Sequence, residues 1–534
     1  MDVLELAVCF LSTHWFCVTV TTCISIFLYY WGIVPYRRST TVAAVGDLPG
    51  PTPLPFLGNA LDTIKSRGQM HLQFDDYYKK YGRLFTVYLF SRTPAIVVSD
   101  PEMLRELFVK EFHSFHDRPG VVQLPKPFDS MMTSAKGDTW HRIRTTLSPT
   151  FSAHKMKVMV PLLNKSCDIL ETKLDHAVQA NESINVYKFL QALTMEAILT
   201  AFFGIQSNAQ LDENDVAFAA ARKALNRSPW RRALISIILL LPGSYYLLKY
   251  WPGLMLGSMM DLIDLTAKII ETKKMEGKHR SKQESKPSYE SSFVTNTNKL
   301  SSWQDFLDMM LTNTDNEDLP EDKRLTEDEV IAQSLIFLMA GYETTSNTLA
   351  LTCHHLATSP DIQEKLQREI DDIWSDEDEP PSYDMVQSMT YLDMVISETL
   401  RLYPPGFIVS RVSTNACTIK GLPIKKGTML FTPCYSIHRD PQYYPDPERF
   451  DPERFSAEAK QSRDPYTYLP FGHGPRNCVG MRFAQFEMKI TLVRILKKFN
   501  LVVGPETKIP VEICVRTVLG CGKDGIQLRV TRRE

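Results

Sequence analysis

The chain has no marked excess of charge of either sign. Its 60 lysines and arginines nearly balance 62 aspartates and glutamates, which leaves a net charge of −2 at neutral pH. Proteins that bind nucleic acid through its phosphates usually carry a clear basic excess. The balance of charge therefore gives no sign of a nucleic-acid partner, and we expect none.

Cysteines are few and show neither a disulfide framework nor a zinc-binding pattern. Ten cysteines are spread over 534 residues, and three of them (Cys9, Cys17 and Cys23) lie in the first uncharged stretch. Structural zinc sites and small disulfide-rich folds show closely paired spacings, which this chain does not have. A reducing environment for the main body of the protein fits this usage best.

One long run without charge lies near the N-terminus. Residues 15–34 read WFCVTVTTCISIFLYYWGIV, and about 20 apolar residues are enough to cross a bilayer. Arg37 and Arg38 follow directly, and positive charge normally stays on the cytoplasmic side. We therefore predict an N-terminal transmembrane anchor over residues 1–36 and a cytoplasmic body. A cleaved signal peptide and a buried core helix are weaker alternatives, because no basic segment precedes the run.

A proline-rich segment separates this run from the rest of the chain. Residues 48–59 read LPGPTPLPFLGN. Each proline fixes its own backbone and restrains the residue before it, so the segment is a stiff connector rather than a helix. The predicted organisation is a basic and proline-rich hinge over residues 37–59 and a single large domain over residues 60–534.

Helical patterns dominate the body, with short β-like runs beside them. Residues 135–270 are mainly helical in pattern, whereas residues 84–90 and 95–98 are β-like. The last forty residues alternate in a way that suggests a further small β-region. Residues 276–300 are rich in polar groups and predict a mobile loop. The fold class is therefore mainly α with a smaller β-region.

The most informative motif is FGHGPRNCVG at residues 471–480. Two glycines and a proline precede Cys478, so this loop has little bulk and can fold tightly beneath a flat cofactor. Backbone N–H groups directed at a thiolate stabilise the anion and tune a bound metal. A single thiolate suits a haem iron better than zinc, which takes about four protein ligands. A buried structural cysteine in a glycine-rich turn is the alternative.

A second motif lies inside a long predicted helix. Thr326, followed three residues later by a glutamate, has the pattern of a capping box, and the apolar-rich helix should run to about Thr358. In its middle, residues 340–345 read AGYETT, and glycine with hydroxyl groups can open a helix locally. Such a cleft can admit water or dioxygen, and a carboxylate and an alcohol there can supply and relay protons. Alternatively, the threonines bond their own helix carbonyls.

The cysteine loop resembles the haem-binding loop of the cytochromes P450, the haem-thiolate monooxygenases. The likeness extends from the hinge to the C-terminus and is strongest to the 3A-like, microsomal steroid- and drug-oxidising branch and to its relative thromboxane synthase. It implies the cytochrome P450 fold and a haem b whose iron takes the Cys478 thiolate as axial ligand. It also implies that Glu343 and Thr344 form the catalytic acid–alcohol pair.

The resemblance gives roles to residues that would otherwise be ordinary. Glu398 and Arg401, three apart on a helix, would by themselves suggest a solvated salt bridge. By resemblance they join Arg454 in a network that locks the fold behind the haem. The haem propionates require cations or polar donors, and the matching residues are Arg118, Trp140, Arg144, Arg411 and Arg476.

The implied function is an O2-dependent monooxygenase of hydrophobic substrates, such as steroids, fatty acids or xenobiotics. The chain shows no nucleotide-binding motif, which agrees with electrons that come from NADPH through the external NADPH-cytochrome P450 reductase; cytochrome b5 is a second implied partner. The implied location is the endoplasmic reticulum membrane. One alternative is an isomerase of a fatty-acid endoperoxide, as in thromboxane synthase, which needs no proton delivery. Another is a non-catalytic haem-binding sensor.

Overall fold

The computed structural model describes most of the predicted large domain. The described residues are 19–26, 29, 48–54, 57–88, 94–120, 124, 126–212, 214–225, 250, 257, 259–284, 305–376, 379–515, 518–522 and 524–534. The predicted anchor lies largely outside them; within it, residues 19–26 are helical and exposed.

Helices make up most of the described chain. They are α1 (Ala60–Lys65), α2 (Met70–Tyr81), α3 (Pro101–Arg105), α4 (Gly137–Leu147), α5 (Ala153–Ala180), α6 (Val186–Phe203), α7 (Val216–Leu225), α8 (Met259–Glu284), α9 (Phe306–Asp315), α10 (Glu327–Thr358), α11 (Pro360–Ile373), α12 (Tyr383–Ser388), α13 (Thr390–Leu402), α14 (Cys434–Ile437), α15 (Ala457–Ser462) and α16 (Met481–Lys498). The prediction of a mainly α fold is confirmed.

The strands are short and form small sheets. They are β1 (Leu84–Val87), β2 (Ala95–Val98), β3 (Ile184–Asn185), β4 (Val409–Val412), β5 (Cys417–Ile419), β6 (Leu422–Ile424), β7 (Met429–Thr432), β8 (Phe499–Val502), β9 (Ile513–Val515), β10 (Leu519–Cys521) and β11 (Gln527–Arg532). The largest described sheet has the order β1-β2-β7-β4, a second has the order β3-β11-β8, and β5-β6 and β10-β9 form two-stranded sheets.

The four-stranded sheet joins distant parts of the chain. The hairpin β1–β2 is antiparallel, with Leu84 opposite Val98. Strand β7 then pairs in parallel with β2, so that Ala95 lies opposite Met429, and β4 closes the sheet antiparallel to β7. The β-runs near the N-terminus therefore depend on strands that lie more than 300 residues later. This arrangement places β4 beside the cysteine loop.

Helix α10 runs through the centre of the core. It packs along α6, and a Cβ added at Gly341 would lie 2.4 Å from Cδ1 of Ile198, so a larger residue would require the Ile198 side chain to move. Thr194 of α6 donates a hydrogen bond to the carbonyl oxygen of Tyr342, 3.1 Å away. Helix α6 alone, in the described part of the chain, has the length and apolarity of a membrane span, and most of it is buried. It is a core helix in this fold.

Two local expectations need correction. Helix α8 extends to Glu284, so the first part of the loop predicted over residues 276–300 is helical; residues 285–304 lie outside the described residues. The run ALISIILLL at residues 233–241, which is strongly apolar but too short to span a membrane, also lies outside the described residues. In α10, the predicted capping box is present, since Thr326 accepts a bond from the Glu329 N–H at 3.3 Å. The helix is continuous through residues 340–345, without the local opening that the glycine suggested.

Candidate functional site

The loop at residues 471–480 is fixed by its glycines and by backbone hydrogen bonds. Gly474 has φ +77°, and a Cβ there would lie 2.0 Å from the carbonyl oxygen of Phe108. A side chain at this position is therefore excluded both by backbone strain and by space. The Cys478 N–H donates to the carbonyl oxygen of Phe471 at 2.9 Å. The loop thus folds back on itself and presents Cys478 just before α16 begins.

The Cys478 side chain lies on the wall of a cavity of about 400 Å³. The side chain is exposed, and this exposure is toward the cavity. The loop, α10, β4 and α4 all contribute to the walls. The apolar lining side chains include Phe151, Ile198, Phe202, Phe337, Phe483 and Met488. A cavity of this size with an apolar wall and a few polar groups is typical of a cofactor or small-molecule site.

Four predicted arginines, Arg118, Arg144, Arg411 and Arg476, line this cavity. In the described part of the chain, the one carboxylate paired with any of them is Asp117, whose Oδ1 lies 3.6 Å from Nη1 of Arg476. The Nε atoms of Arg411 and Arg476 are buried without a hydrogen-bond partner among the described residues. Four cations facing one carboxylate leave an uncompensated positive charge, which calls for an anionic ligand.

The pKa values of these arginines reflect the same imbalance. The pKa of Arg411 and the pKa of Arg476 are both lowered to about 9. Burial is the largest cause, and repulsion from Arg118 is the second. Burial also lowers the pKa of Arg118 and of Arg144, and the charge of Cys478 opposes both shifts. Neighbouring anions would reverse these shifts, because opposite charges favour the ionised forms.

Two of the predicted residues are tied closely to the cysteine loop. Arg476 donates to the carbonyl oxygen of Ala135 at 2.6 Å, and its guanidinium lies over the ring of Trp140, 4.7 Å from the centroid. Arg144 donates to the backbone oxygen of Asn477. These side chains therefore hold α4 and the segment before it against the loop, as well as lining the cavity.

The thiol of Cys478 is subject to opposing influences. Burial raises its pKa, whereas a hydrogen bond from the Gly480 N–H and the charges of Arg144 and Arg118 act to lower it. The N–H group and the two guanidinium groups all stabilise the anion, as the sequence suggested for this loop. A metal bound at the sulfur would complete the deprotonation.

This donor set fits a haem. A haem b is flat and largely apolar, offers an iron for a thiolate, and carries two carboxylates for cations. The cavity supplies one thiol, apolar walls and a group of arginines with unpartnered nitrogen atoms. Among the described residues, no cluster of three or more His, Cys, Asp or Glu side chains could hold a metal by itself.

The middle of α10 forms the wall of the same cavity. The lining residues from this helix are Ile336, Phe337, Ala340, Gly341, Thr344, Thr345 and Thr348. The Thr344 hydroxyl donates to the carbonyl oxygen of Ala340 at 2.7 Å. The sequence left open that the threonines bond the carbonyl groups of their own helix. Thr344 does so, and it also lines the cavity. Glu343 is buried with 5% of its surface exposed, and it is not among the lining residues.

The Glu398 carboxylate is the centre of a buried ionic network. Arg401 binds it with two nearly parallel bonds of 2.7 and 2.8 Å, and both side chains are fully buried. The Nε of Arg454 lies 3.5 Å from the same carboxylate, and the Asp451 N–H donates to it at 2.9 Å. Burial raises the pKa of Glu398, and Arg401 opposes that rise most strongly. The network joins α13 to the segment that contains Arg454.

Sequence reasoning missed a histidine that connects this network to the segment just before the cysteine loop. His438 is fully buried. Its Nδ1 lies 3.2 Å from the carbonyl oxygen of Arg401, and its Nε2 accepts from the Leu469 N–H at 2.8 Å. The ring must therefore be neutral and carry its proton on Nδ1. No spacing or motif marks this residue in the sequence, because its partners are a distant carbonyl group and a distant N–H group.

Comparison with known proteins agrees with this site. The family model described as cytochrome P450 matches residues 48–530. The chain is 38% identical to cytochrome P450 3A2 of Rattus norvegicus, with 91% of this chain and 92% of that protein covered. It is 37% identical to cytochrome P450 3A5 of Homo sapiens, with 91% of both chains covered.

A fold and site of this kind define a haem-thiolate protein, and the chain belongs to the cytochrome P450 family. It is an oxidoreductase of the monooxygenase type whose cofactor is a haem with a cysteine thiolate as axial ligand. Its substrates are hydrophobic. The predicted likeness to the 3A-like branch is confirmed by the relatives above.

Proposed function

We propose that the protein inserts one oxygen atom from O2 into a hydrophobic substrate, with electrons supplied by NADPH-cytochrome P450 reductase. The observation that carries this proposal is the placement of the Cys478 sulfur and the Thr344 hydroxyl on the wall of one apolar cavity. A thiolate ligand on one side and a proton-relaying alcohol on another match the needs of oxygen activation.

Different residues of the chain bind the cofactor and the substrate at this site. Cys478 would hold the iron, and Arg118, Trp140, Arg144, Arg411 and Arg476 would bind the propionates. When bound, the haem supplies the chemistry that activates dioxygen and transfers oxygen to a C–H bond. The phenylalanine-rich wall excludes water and holds an apolar substrate by burial of its surface.

Protons reach the cavity through α10. Thr344 has its hydroxyl at the wall, and Glu343 is adjacent in sequence but buried to the side. Because the Thr344 hydroxyl donates to Ala340, it must exchange that bond to donate into the cavity, and it can then accept a replacement proton. Glu343 is the acid that resupplies it. This pair supports the monooxygenase, since rearrangement of an endoperoxide consumes no protons.

Glu398, Arg401 and Arg454 have a structural role in this proposal. Their network holds α13 against the segment before the cysteine loop and, through His438, reaches Leu469. The rigid support keeps Cys478 in place when substrates of different size enter the cavity.

The proposed setting is the endoplasmic reticulum membrane. Residues 1–36 serve as a single-pass anchor, residues 37–59 as the hinge, and residues 60–534 as the cytoplasmic catalytic domain. The reductase, and cytochrome b5 where it takes part, dock on the face nearest Cys478. The uncharged run at residues 15–34 and the arginines after it support this arrangement.

The decisive experiment compares the wild-type protein with Cys478→His. We expect the wild-type protein to give the red-shifted ferrous–carbonyl band and, with reductase and NADPH, an oxygenated product. The Cys478→His variant should lose the band, whereas Cys417→Ser, a matched change away from the cavity, should keep it. A persisting band in Cys478→His refutes the assigned ligand. Turnover of an endoperoxide without NADPH or reductase would establish the isomerase instead.

A further inference from the structure

Gln333 of α10 makes an unusual pair of hydrogen bonds. Its side chain is fully buried. Its Nε2 donates to the carbonyl oxygen of Ser130 at 2.7 Å, and its Oε1 accepts from the Met132 N–H at 2.8 Å. One side-chain amide thus pairs with alternate residues of a neighbouring segment, as the backbone of an adjacent β-strand would. Both ends of the amide are used.

The segment held by Gln333 is a wall of the substrate cavity. Met132 and Thr133 line the cavity directly, and Met131 and Met132 are buried. Their position therefore decides how much room the cavity has on this side. Gln333 itself is not among the lining residues, so it acts on the cavity through the backbone that it holds.

The far end of the same segment is attached to the cysteine loop. Arg476 donates from Nη2 to the carbonyl oxygens of Ala135, at 2.6 Å, and of Met132, at 3.5 Å. The segment at residues 130–135 is thus hydrogen-bonded to α10 on one side and to the loop of Cys478 on the other. We call residues 130–135 the cavity strap.

We propose that Gln333 is a positioning residue that sets which hydrophobic substrates the cavity accepts, by fastening the cavity strap to the helix that carries Thr344. This inference rests on the proposed function. Without the amide, the buried Met132 N–H and the partly buried Ser130 carbonyl lose their partner, a state that folded proteins avoid. The strap then shifts to regain partners or admits water, and the cavity loses its defined wall.

The test uses the full-length protein with Gln333→Leu, Gln333→Glu and the control Ser334→Ala. Leucine approximates the size of glutamine and removes both bonds. Ser334 is the next residue, equally buried, and its hydroxyl has no hydrogen-bond partner in the described structure. Ser334→Ala therefore controls for the effect of any substitution at a fully buried position of α10.

The readout is spectral titration of the ferric protein with a panel of steroids and fatty acids. For Gln333→Leu we expect the ligand that the wild type binds most tightly to weaken about tenfold, equivalent to roughly 1.4 kcal/mol. We also expect the preference among the panel to flatten, with haem content and the ferrous–carbonyl band retained. Ser334→Ala should match the wild type in both respects.

Gln333→Glu provides a second and independent readout. A protonated carboxyl can donate to Ser130 and accept from Met132, whereas the carboxylate can only accept. Binding by this variant should approach the wild-type level at low pH and weaken as pH rises, against a wild-type profile measured in parallel. This readout decides the matter if Gln333→Leu fails to bind haem.

Two results would overturn the inference. One is a Gln333→Leu variant with an intact band and the wild-type order and strength of binding. The other is a Gln333→Glu variant whose binding follows the wild-type pH profile. Failure of the proposed function has a different signature: a wild-type protein that forms no NADPH-dependent product, whatever the behaviour of the Gln333 variants.

Discussion

Arg144 donates from both terminal nitrogens to Asn477, the residue immediately before Cys478. The Nη1 atom reaches the Asn477 carbonyl oxygen at 3.0 Å, and Nη2 reaches its Oδ1 at 2.9 Å. Asn477 thereby joins α4 to the loop that presents the thiol, so the guanidinium that faces the cavity also fixes the loop. Loss of this one side chain should therefore weaken both the positioning of the cysteine loop and the binding of the anionic cofactor.

We therefore expect Arg144→Gln to weaken haem binding without unfolding the protein. Two charge-assisted bonds to the loop are lost, and such bonds contribute about 1.5–3 kcal/mol each. The measurement is the rate of haem transfer to an apo-acceptor and the fraction of protein with the red-shifted carbonyl band. Arg482→Gln, at an exposed position at the start of α16, is the control and should be neutral. Equal haem loss in both variants would contradict the role of Arg144.

Glu398→Gln should destabilise the folded protein strongly. The change removes one charge from a fully buried pair and leaves Arg401 uncompensated, which typically costs about 3–5 kcal/mol. Urea unfolding measures the effect. Glu364→Gln is the matched control, because Glu364 and Arg368 form an exposed pair at 3.9 Å that is worth less than about 1 kcal/mol. Arg401→Lys should also be costly, since lysine cannot make the two parallel bonds.

Thr344→Ala should raise the release of peroxide relative to product. The hydroxyl at the cavity wall is lost, so α10 no longer delivers protons into the cavity in a directed way. Peroxide, product and NADPH consumption are measured together with reductase present. Thr358→Ala is the control, because Thr358 makes the same kind of bond to a helix carbonyl, at 3.0 Å, at the far end of α10. Unchanged coupling in Thr344→Ala would refute the relay.

Glu487→Met should stabilise the protein at neutral pH. Glu487 is fully buried, and neither carboxyl oxygen has a hydrogen-bond partner among the described residues. Burial raises its pKa well above 4.5. Since the folded state holds this proton more tightly than the unfolded chain does, Glu487 lowers the free energy of unfolding as pH rises above its unfolded pKa.

The gain for Glu487→Met should be about 1–3 kcal/mol at pH 7 and should shrink toward pH 4. Urea unfolding at several pH values gives both quantities. Glu506→Met, at an exposed position, should change the free energy of unfolding by less than about 0.5 kcal/mol. A gain for Glu487→Met that does not depend on pH would contradict the proton linkage.

Acid should destabilise the protein from about pH 6.5 downward. Burial lowers the pKa of His438 and of His355 to about 3. Between pH 6.5 and 3 the unfolded chain therefore binds protons on these histidines that the folded protein does not bind. The stability that depends on these neutral rings is present above pH 6.5 and is lost as pH falls toward 3. The ring of His355 stacks on Phe450 at 4.3 Å, which allows a phenylalanine in its place.

His355→Phe should therefore move the midpoint of acid unfolding to lower pH. The stack is kept, the hydrogen bond between His355 Nε2 and the Tyr403 hydroxyl is lost, and one titrating group is removed. The midpoint is followed by the carbonyl band and by circular dichroism. His113→Phe, at an exposed position, should leave the midpoint in place, and equal shifts in both variants would argue against the buried-histidine origin.

Much of the fold class and of the site could be predicted from local pattern. The FGHGPRNCVG loop, the capping box at Thr326 and the β-runs from Leu84 and Ala95 each depend on neighbouring residues, and the structure has these features where they were expected. The local opening of α10 that the glycine and threonines suggested is absent, because the helix is continuous through residues 340–345. The helical extension to Glu284 was missed, since the polar composition there suggested a loop.

The sequence by itself determined the motifs: one cysteine in a tight glycine-rich loop, and an acid and an alcohol in a predicted helix. The motifs are properties of short segments, and short-range geometry decides them. The roles of the arginines followed only from the family resemblance. Only the tertiary structure decided that four separate arginines face one cavity, that β7 completes the sheet of β2, and that His438 and Gln333 hold distant backbone groups. Such contacts join residues far apart in the chain, and their partners are carbonyl and N–H groups, which are present at nearly every position and leave no signature in the sequence.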